Sequence, residues 1–221
     1  MRRGFIAASA IVTFILILST AVRAAEVTVV DGDTIRIDGT TFRLHGIDAP
    51  EAGQTCRDAS GGTWRCGDEA TRRLEYFIGD AVPNCDDRGL DDYDRVISVC
   101  TVGGIELNRA MVSEGYAWAF RRYSEDYAAD EEIAADKGVQ IWQAANQAPW
   151  DYRAAKWEVA TQESPDGCPI KGNISENGHI YHAPWSPWYA RTKISIDKGE
   201  YWFCSEREAL DAGWRAPMWG H

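Results

Sequence analysis

The chain has 221 residues, of which 45% are hydrophobic and 26% are charged, and its formal net charge is -11 at pH 7. This length allows one ordinary domain and a small second unit, and the composition excludes a disordered chain and a polytopic membrane protein. The negative charge opposes long-range attraction to nucleic acid, so a nucleic-acid function would depend on a local site.

The first 24 residues have the pattern of an export signal. Two arginines precede an apolar run over residues 4–22, and Val22-Arg23-Ala24 ends it with small residues that a signal peptidase reads. We expect cleavage after Ala24 and a secreted or periplasmic protein. Cleavage would remove three arginines and no acidic residue, taking the net charge from -11 to -14. The apolar run is also long enough to span a bilayer, so an uncleaved N-terminal membrane anchor is the alternative.

Short strands and helices alternate over the next part of the chain. Asp31-Gly32 and Asp38-Gly39 are typical of turns between paired strands, whereas the acidic, glycine-containing segment from Asp86 to Asp94 is expected to be a loop. The periodicity predicts five strands and three helices: strands Glu26 to Val30, Thr34 to Ile37, Thr41 to Ile47, Ala81 to Cys85 and Val96 to Thr101; helices Gly67 to Ile78, Glu106 to Glu114 and Ser124 to Lys137. This order predicts an α+β protein, mainly a β barrel, with the five-stranded Greek-key architecture of the OB fold and three helices.

The third predicted strand carries polar residues on one face. Alternation along the strand places Phe42 and Leu44 on the core side, and Arg43 and His45 on the opposite side. We expect Arg43 to face solvent or a cleft, and His45 to be solvated or hydrogen-bonded.

Three carboxylates are predicted to converge near Arg43. Asp48 and Glu51 lie in the turn that follows this strand, and Asp33 opens the neighbouring strand. The cluster would provide two carboxylates for a cation and one for proton transfer.

These segments also resemble a known family. The run Val30-Asp31-Gly32-Asp33-Thr34-Ile35, followed by Phe42-Arg43-Leu44 and by Asp48-Ala49-Pro50-Glu51, is similar to the signature of the staphylococcal nuclease family. The resemblance continues in Asp92-Tyr93-Asp94-Arg95-Val96 and covers roughly residues 26–158. It implies an OB-fold barrel and calcium-dependent hydrolysis of phosphodiesters in DNA and RNA.

The resemblance also implies a calcium site. Asp33 and Asp48 would bind Ca²⁺, helped by the backbone carbonyl group of Ala49. Carboxylate and carbonyl oxygens are the ligands that calcium prefers.

Catalytic and substrate-binding roles follow from the same resemblance. Glu51 would orient or deprotonate the attacking water, and Arg43 and Arg95 would bind the phosphate, for which planar guanidinium groups are suited. Tyr93 and Tyr123 would line the nucleotide pocket. An exported protein that binds nucleic acid or an envelope polymer without cutting it is the alternative.

Six cysteines in an exported chain indicate disulfides, although six cysteines allow fifteen pairings. Cys56 and Cys66 bound a glycine-containing loop after the Glu51 turn, and Cys85 and Cys100 lie on strands predicted to pair. We therefore favour three bridges: Cys56 with Cys66, Cys85 with Cys100, and Cys168 with Cys204.

The end of the chain differs in composition from the part before it. We predict a nuclease-like domain over residues 25–160 that ends with a helix from Trp150 to Ala160, a linker over residues 161–167, and a small C-terminal module over residues 168–221 that is rich in Cys and aromatic residues. The module is similar to an appendage of bacterial exported proteins, sometimes called a sunset domain, whose role is not established.

A zinc site in the module is an alternative to its disulfide. Cys168, His179, His182 and Cys204 are the candidate ligands, but the His-x-x-His spacing is tight and export favours the bridge.

Overall fold

A computed structural model describes residues 25–217 of the chain. The predicted signal or anchor segment, residues 1–24, lies outside the described residues. Within residues 25–217, none of the helices is long and apolar enough to cross a membrane.

The chain up to residue 143 is built from short strands around three helices. In chain order the elements are β1 (Val27–Asp31), β2 (Thr34–Ile37), β3 (Thr40–Leu44), β4 (Ile47–Asp48), β5 (Cys56–Arg57), β6 (Thr63–Trp64), α1 (Cys66–Ile78), β7 (Asn84–Leu90), β8 (Val96–Val102), β9 (Ile105–Glu106), α2 (Leu107–Ser113), β10 (Trp118–Ala119), α3 (Ala128–Asp136) and a 3-10 turn, Gln140–Gln143.

The remaining elements are one long helix and a small sheet. They are α4 (Pro149–Glu163), a 3-10 turn at Pro165–Gly167, β11 (Ile170–Ser175), β12 (Gly178–His182), a 3-10 turn at Ile196–Lys198, β13 (Tyr201–Phe203) and α5 (Glu206–Asp211).

The main sheet is mixed and has the strand order β1-β2-β3-β8-β7, with β9 paired to β8. Its strands are antiparallel except for β3 and β8, which run parallel with Phe42 opposite Val96. In the described part of the chain no pairing joins β1 to β7, and β4 pairs separately with β10. The α+β class is therefore confirmed, whereas closure of the sheet into a barrel is not shown.

The predicted β-meander is present, but its third strand is shorter than expected. The turn between β2 and β3 contains Asp38 and Gly39 with φ values of 48° and 84°, a conformation that suits Asp and Gly. The prediction of one strand from Thr41 to Ile47 was wrong because Gly46, with φ of 70°, ends it and starts the separate strand β4.

The predicted strand from Ala81 to Cys85 and the loop from Asp86 to Asp94 were also placed wrongly. Strand β7 runs over Asn84–Leu90. It begins after Pro83 because proline has no N–H to donate to a neighbouring strand. Its acidic residues are tolerated since β7 is an exposed edge strand. A register shift near Gly89, with φ of 113°, bends the edge.

The core lies between the main sheet and helices α1 and α2. Helix α1 buries Ala70, Leu74 and Ile78, as its periodicity predicted. Helix α3 begins at Ala128 rather than at Ser124, because the buried Tyr127 has φ of -113°, which is outside the helical range.

All three predicted disulfides are present. Such bridges are typical of extracellular or periplasmic proteins. The bond between Cys168 and Cys204 uses both thiols that the alternative zinc site required, so zinc ligation by this set is excluded in the described fold.

Helix α4 connects the two parts of the structure. It is longer than the predicted helix and runs to Glu163, three residues into the segment expected to be a linker. Trp150, near its start, stacks on Phe120, whereas Trp157 packs against the core of strands β11 to β13. One rigid element therefore contacts both the nuclease-like part and the C-terminal module.

Candidate active site

Asp33 and Arg43 form the centre of a buried charged cluster. Asp33 lies in the turn before β2, and Arg43 lies on β3 opposite Thr34. Their side chains form an ion pair through Asp33 Oδ1 and Arg43 Nη1. The second carboxylate oxygen of Asp33 accepts a hydrogen bond of 2.6 Å from the amide of Ala49, so the position after Asp48 contacts the cluster through its backbone.

Asp48 is the second carboxylate that pairs with Arg43, so Asp33, Arg43 and Asp48 form one group of ion pairs. Its side chain is only 1% exposed, and its Oδ1 accepts a hydrogen bond of 3.0 Å from Arg43 Nη2. The pairing of β4 with β10, in which Asp48 lies opposite Trp118, fixes its backbone. Two of the predicted calcium ligands therefore lie on either side of one predicted phosphate-binding arginine.

Glu51 is held in a tight turn beside Asp48. Its amide donates to Gln54 Oε1 at 3.1 Å, and Gln54 donates its own amide to the Glu51 carbonyl oxygen at 2.7 Å. The Gln54 side chain also donates to the carbonyl oxygen of Gln147 at 2.7 Å, just before α4. A Cβ at Gly67 would collide with the Glu51 carbonyl oxygen, so the close approach of α1 requires glycine there.

Arg153, on α4, is a member of the cluster that the sequence did not predict. Its guanidinium donates to Asp48 at 3.1 and 2.7 Å and to Glu51 Oε1 at 2.6 Å. The contacts span 102 and 105 positions of the chain. The sequence predicted the helix, but no local pattern distinguishes this arginine from others on an exposed helix face.

Burial disfavours the ionised form of two carboxyl groups in the cluster. Burial and the neighbouring charge of Asp33 raise the pKa of Asp31 to about 7. Burial also raises the pKa of Glu51 to about 8, although Arg153 opposes the shift. Burial would likewise raise the pKa of Asp33, but Arg43 and the Ala49 amide outweigh it and hold that pKa below its usual value. A cation bound beside Asp31 and Glu51 would favour their ionised forms.

Arg95 and Tyr93 lie at the edge of the cluster. Arg95 is close enough to Asp33 to help lower its pKa, and its Nε donates to Asp91 Oδ2 at 2.7 Å. The Arg95 guanidinium lies over the Tyr93 ring, 5.3 Å from its centroid. The predicted phosphate-binding role of Arg95 stays a prediction.

Two other sequence candidates lie outside the charged cluster. Tyr123 is 67% exposed and packs edge-on against Phe120, with Arg122 above its ring. The amide of His45 donates to Ser98, and its carbonyl oxygen accepts from Asn108. The predicted nucleotide-binding role of Tyr123 stays a prediction.

This part of the chain is similar in sequence to known proteins. A family model described as staphylococcal nuclease homologue matches residues 41–144. Micrococcal nuclease of Shigella flexneri is 30% identical over 151 residues, which are 60% of this chain and 81% of that protein. The chain belongs to the staphylococcal nuclease family.

Other relatives are matched over smaller parts of their length. Succinoglycan biosynthesis protein ExoI of Rhizobium meliloti is 35% identical over 54% of this chain and 64% of its own length. Probable staphylococcal-like nuclease CAN4 of Oryza sativa subsp. japonica is 28% identical over 57% of this chain and 24% of its own length. This chain therefore spans less than two thirds of these two relatives.

A second family model, described as ArfC, matches residues 148–216. The match begins at α4 and continues through the C-terminal module. The segment with Arg153 and Trp157 thus falls within this second match rather than within that to the staphylococcal nuclease family.

Calcium, which staphylococcal nuclease family members use, can be tested against these side chains. The oxygen donors of Asp33 and Asp48 have the right chemistry for a divalent cation. Within residues 25–217, however, no three acidic, His or Cys side chains are gathered as a metal site. Arg153 bonds to both oxygens of Asp48. The donor chemistry of these residues fits calcium, but Arg43 and Arg153 would first have to release the two carboxylates.

Proposed function

We propose that this protein is an exported calcium-dependent nuclease that hydrolyses phosphodiester bonds in DNA or RNA. The observation that carries the proposal is a largely buried cluster in which Asp33 and Asp48 both pair with Arg43, and Glu51 is joined to Asp48 through Arg153. Burying so many charged groups is costly unless they are paired or bind a cation. Phosphodiester chemistry would use Asp33, Arg43, Asp48 and Glu51 together.

Different side chains of this protein have different roles in the proposed reaction. Arg43 and Arg95 bind the oxygens of the scissile phosphate and stabilise the negative charge that develops on them. Glu51 orients the attacking water and accepts its proton. Burial, which raises the pKa of Glu51 to about 8, makes its carboxylate a stronger base than an exposed glutamate.

Asp33, Asp48 and the carbonyl group of Ala49 would hold calcium. When bound, calcium would polarise a phosphate oxygen and offset charge on the phosphate. Arg153 would have to release Asp48 in this state. The OB-type barrel and export through residues 1–24 belong to the same proposal, with the three disulfides supporting an oxidising compartment.

The test is cleavage of single-stranded DNA and RNA by the purified protein. We expect fragments in the presence of Ca²⁺ and none after addition of a chelator, with activity restored by excess Ca²⁺. Cleavage that continues in the chelator would contradict the calcium assignment.

A binding protein without cleavage is the second candidate function. It is favoured by one observation: Arg153 neutralises both a proposed calcium ligand, Asp48, and the proposed base, Glu51. Binding of the same oligonucleotides without fragments at any calcium concentration would support this candidate over the nuclease.

A further inference from the structure

A cleft lies between the proposed active site and the C-terminal module. Its volume is about 790 Å³, which is in the range of small-molecule binding sites. Its walls come from three parts of the chain: the β7–β8 loop with Tyr93, helix α4 with Trp157, and the module with Trp185, Glu206 and Arg207. The cleft lies next to the proposed active site, because Tyr93 in its wall contacts the Arg95 guanidinium.

Aromatic side chains form much of the cleft wall. The rings of Trp157 and Trp185 have centroids 6.0 Å apart and an interplanar angle of 34°. Both are only partly buried, and Tyr93 is 39% exposed. Partly exposed aromatic rings along a path that leads from a phosphate-binding arginine are typical of surfaces on which single-stranded bases stack.

Glu206 gives the cleft a hydrogen-bond acceptor that the proposed hydrolysis does not use. Its Oε2 accepts a hydrogen bond of 3.0 Å from the hydroxyl group of Tyr181, which fixes the carboxylate. In the described part of the chain, no donor contacts its Oε1. Arg95 and Arg153 are both close enough to lower the pKa of Glu206, against the burial that raises it.

Arg207 links the two sides of the cleft. Its Nη1 lies 3.3 Å from Asp94 Oδ2 and 3.4 Å from the carbonyl oxygen of Asp92, in the β7–β8 loop. The module is therefore attached to the loop that carries Tyr93 and Arg95. Glu206, the residue before Arg207, therefore lies on the side of the module that faces this loop.

We propose that the C-terminal module forms a base-binding subsite in which a guanine base of a single strand stacks on Trp157 and Trp185 while Glu206 accepts its N–H groups. Guanine has two adjacent donors on its Watson–Crick edge, N1–H and the N2 amino group, which match one carboxylate. Uracil and thymine present one donor between two carbonyl oxygens, which a carboxylate repels. The subsite rests on the proposed nuclease function because it places the adjacent phosphate at Arg95.

The test measures binding separately from cleavage. The probes are single-stranded RNA hexamers, one of uridines only and one with a single central guanosine, used with the Glu51→Gln protein in chelator. We expect the guanosine hexamer to bind on the order of tenfold more tightly. Equal affinities for the two hexamers would overturn the proposal.

Two variants distinguish stacking from base recognition. Trp185→Ala should weaken binding of both hexamers on the order of tenfold, whereas Glu206→Gln should remove the guanosine preference and leave the affinity for the uridine hexamer unchanged. Tyr76→Ala, which removes a 72% exposed aromatic ring from α1, is the matched control and should bind as the parent does. A Glu206→Gln protein that keeps the full preference would contradict the proposal, even if Trp185→Ala were too unstable to assay.

The same measurements separate failure of the subsite from failure of the nuclease function. A guanosine preference in the binding assay with no cleavage by the wild-type protein would retain the subsite and reject the nuclease. Normal cleavage with no preference, and with wild-type rates in Trp185→Ala and Glu206→Gln, would retain the nuclease and reject the subsite.

Discussion

Arg153 donates hydrogen bonds to both carboxylate oxygens of Asp48, at 3.1 Å from Nη1 to Oδ1 and at 2.7 Å from Nη2 to Oδ2. This two-pronged pairing is among the strongest that protein side chains form, and the Asp48 side chain is only 1% exposed. Arg153 therefore holds the oxygens that calcium would need, and the two cations are expected to compete.

Replacement of Arg153 by methionine should lower the calcium concentration that gives half-maximal cleavage, on the order of tenfold. Calcium would then compete with Arg43 alone for Asp48 rather than with two guanidinium groups. The measurement is cleavage rate against free calcium concentration. An unchanged or higher calcium requirement in Arg153→Met would show that Arg153 does not compete for this site.

The same variant should be less stable in chelator, because Asp48 and Glu51 lose their shared partner. We expect the free energy of unfolding to fall by about 2 kcal/mol, at the lower end for a buried pair because Arg153 is 26% exposed. Arg72→Met is the control, since its pair with Glu69 lies on the surface and should contribute under about 1 kcal/mol. Urea unfolding of the wild type and of both variants measures the loss of unfolding free energy in each.

Replacement of Arg95 by alanine should reduce turnover on the order of 100-fold, because it removes a donor to the charge that develops on the phosphate. In the folded protein Arg95 pairs with Asp91, and both side chains are partly exposed, so loss of this pair should lower the free energy of unfolding only slightly. Arg109→Ala, which removes an arginine paired with Asp130 on α3, is the control. Near-normal cleavage by Arg95→Ala would contradict the assignment of Arg95 as a phosphate-binding residue.

The buried His182 should make the module sensitive to acid. Its Nε2–H donates to Asn173 Oδ1 at 2.9 Å, and its Nδ1 accepts from Ser186 at 3.2 Å. Burial, together with nearby Lys171 and Arg191, lowers its pKa from 6.5 to about 4. The unfolded histidine therefore takes up a proton at a higher pH than the folded one, so acidification favours unfolding.

His182 should account for a loss of about 2 kcal/mol in unfolding free energy between pH 7.5 and pH 5. The measurement is urea unfolding of the wild type and of His182→Gln at both pH values, since the difference isolates this residue from the titrating carboxylates. An identical pH dependence in the two proteins would contradict the neutral, buried state of His182.

The disulfide between Cys56 and Cys66 should support activity as well as stability. It closes the loop that follows the Glu51 turn, whereas the bond between Cys85 and Cys100 joins β7 to β8. Replacing either pair by serine should lower the free energy of unfolding by about 2–3 kcal/mol. At a temperature where both variants are folded, only the Cys56/Cys66 variant should turn over more slowly; equal rates would show that the loop does not position Glu51.

Local patterns were enough to predict most of the charged cluster. Alternation along β3 placed Arg43 opposite the core residue Leu44, and the turn after it brought Asp48 and Glu51 together. These contacts lie within a few positions of one another or join neighbouring strands of one meander. Strand and turn rules describe such short-range relationships well.

Contacts between distant segments could not be predicted in this way. Arg153 reaches Asp48 across 105 positions, and Arg207 of the C-terminal module reaches Asp94 across 113 positions. The register of a helix on a sheet depends on the packing of the whole core rather than on the helix sequence. The start of β7 at Asn84 was missed for a local reason, since the strand-like residues before Pro83 cannot extend the ladder past it.

The most direct test of the proposed function is the single-turnover cleavage rate of single-stranded DNA in saturating Ca²⁺, compared between the wild-type protein and Glu51→Gln. Gln keeps the shape of the side chain and removes the base that activates water. We expect fragments from the wild type and a rate at least about 100-fold lower for Glu51→Gln. Equal rates, or no fragments from either protein, would contradict it.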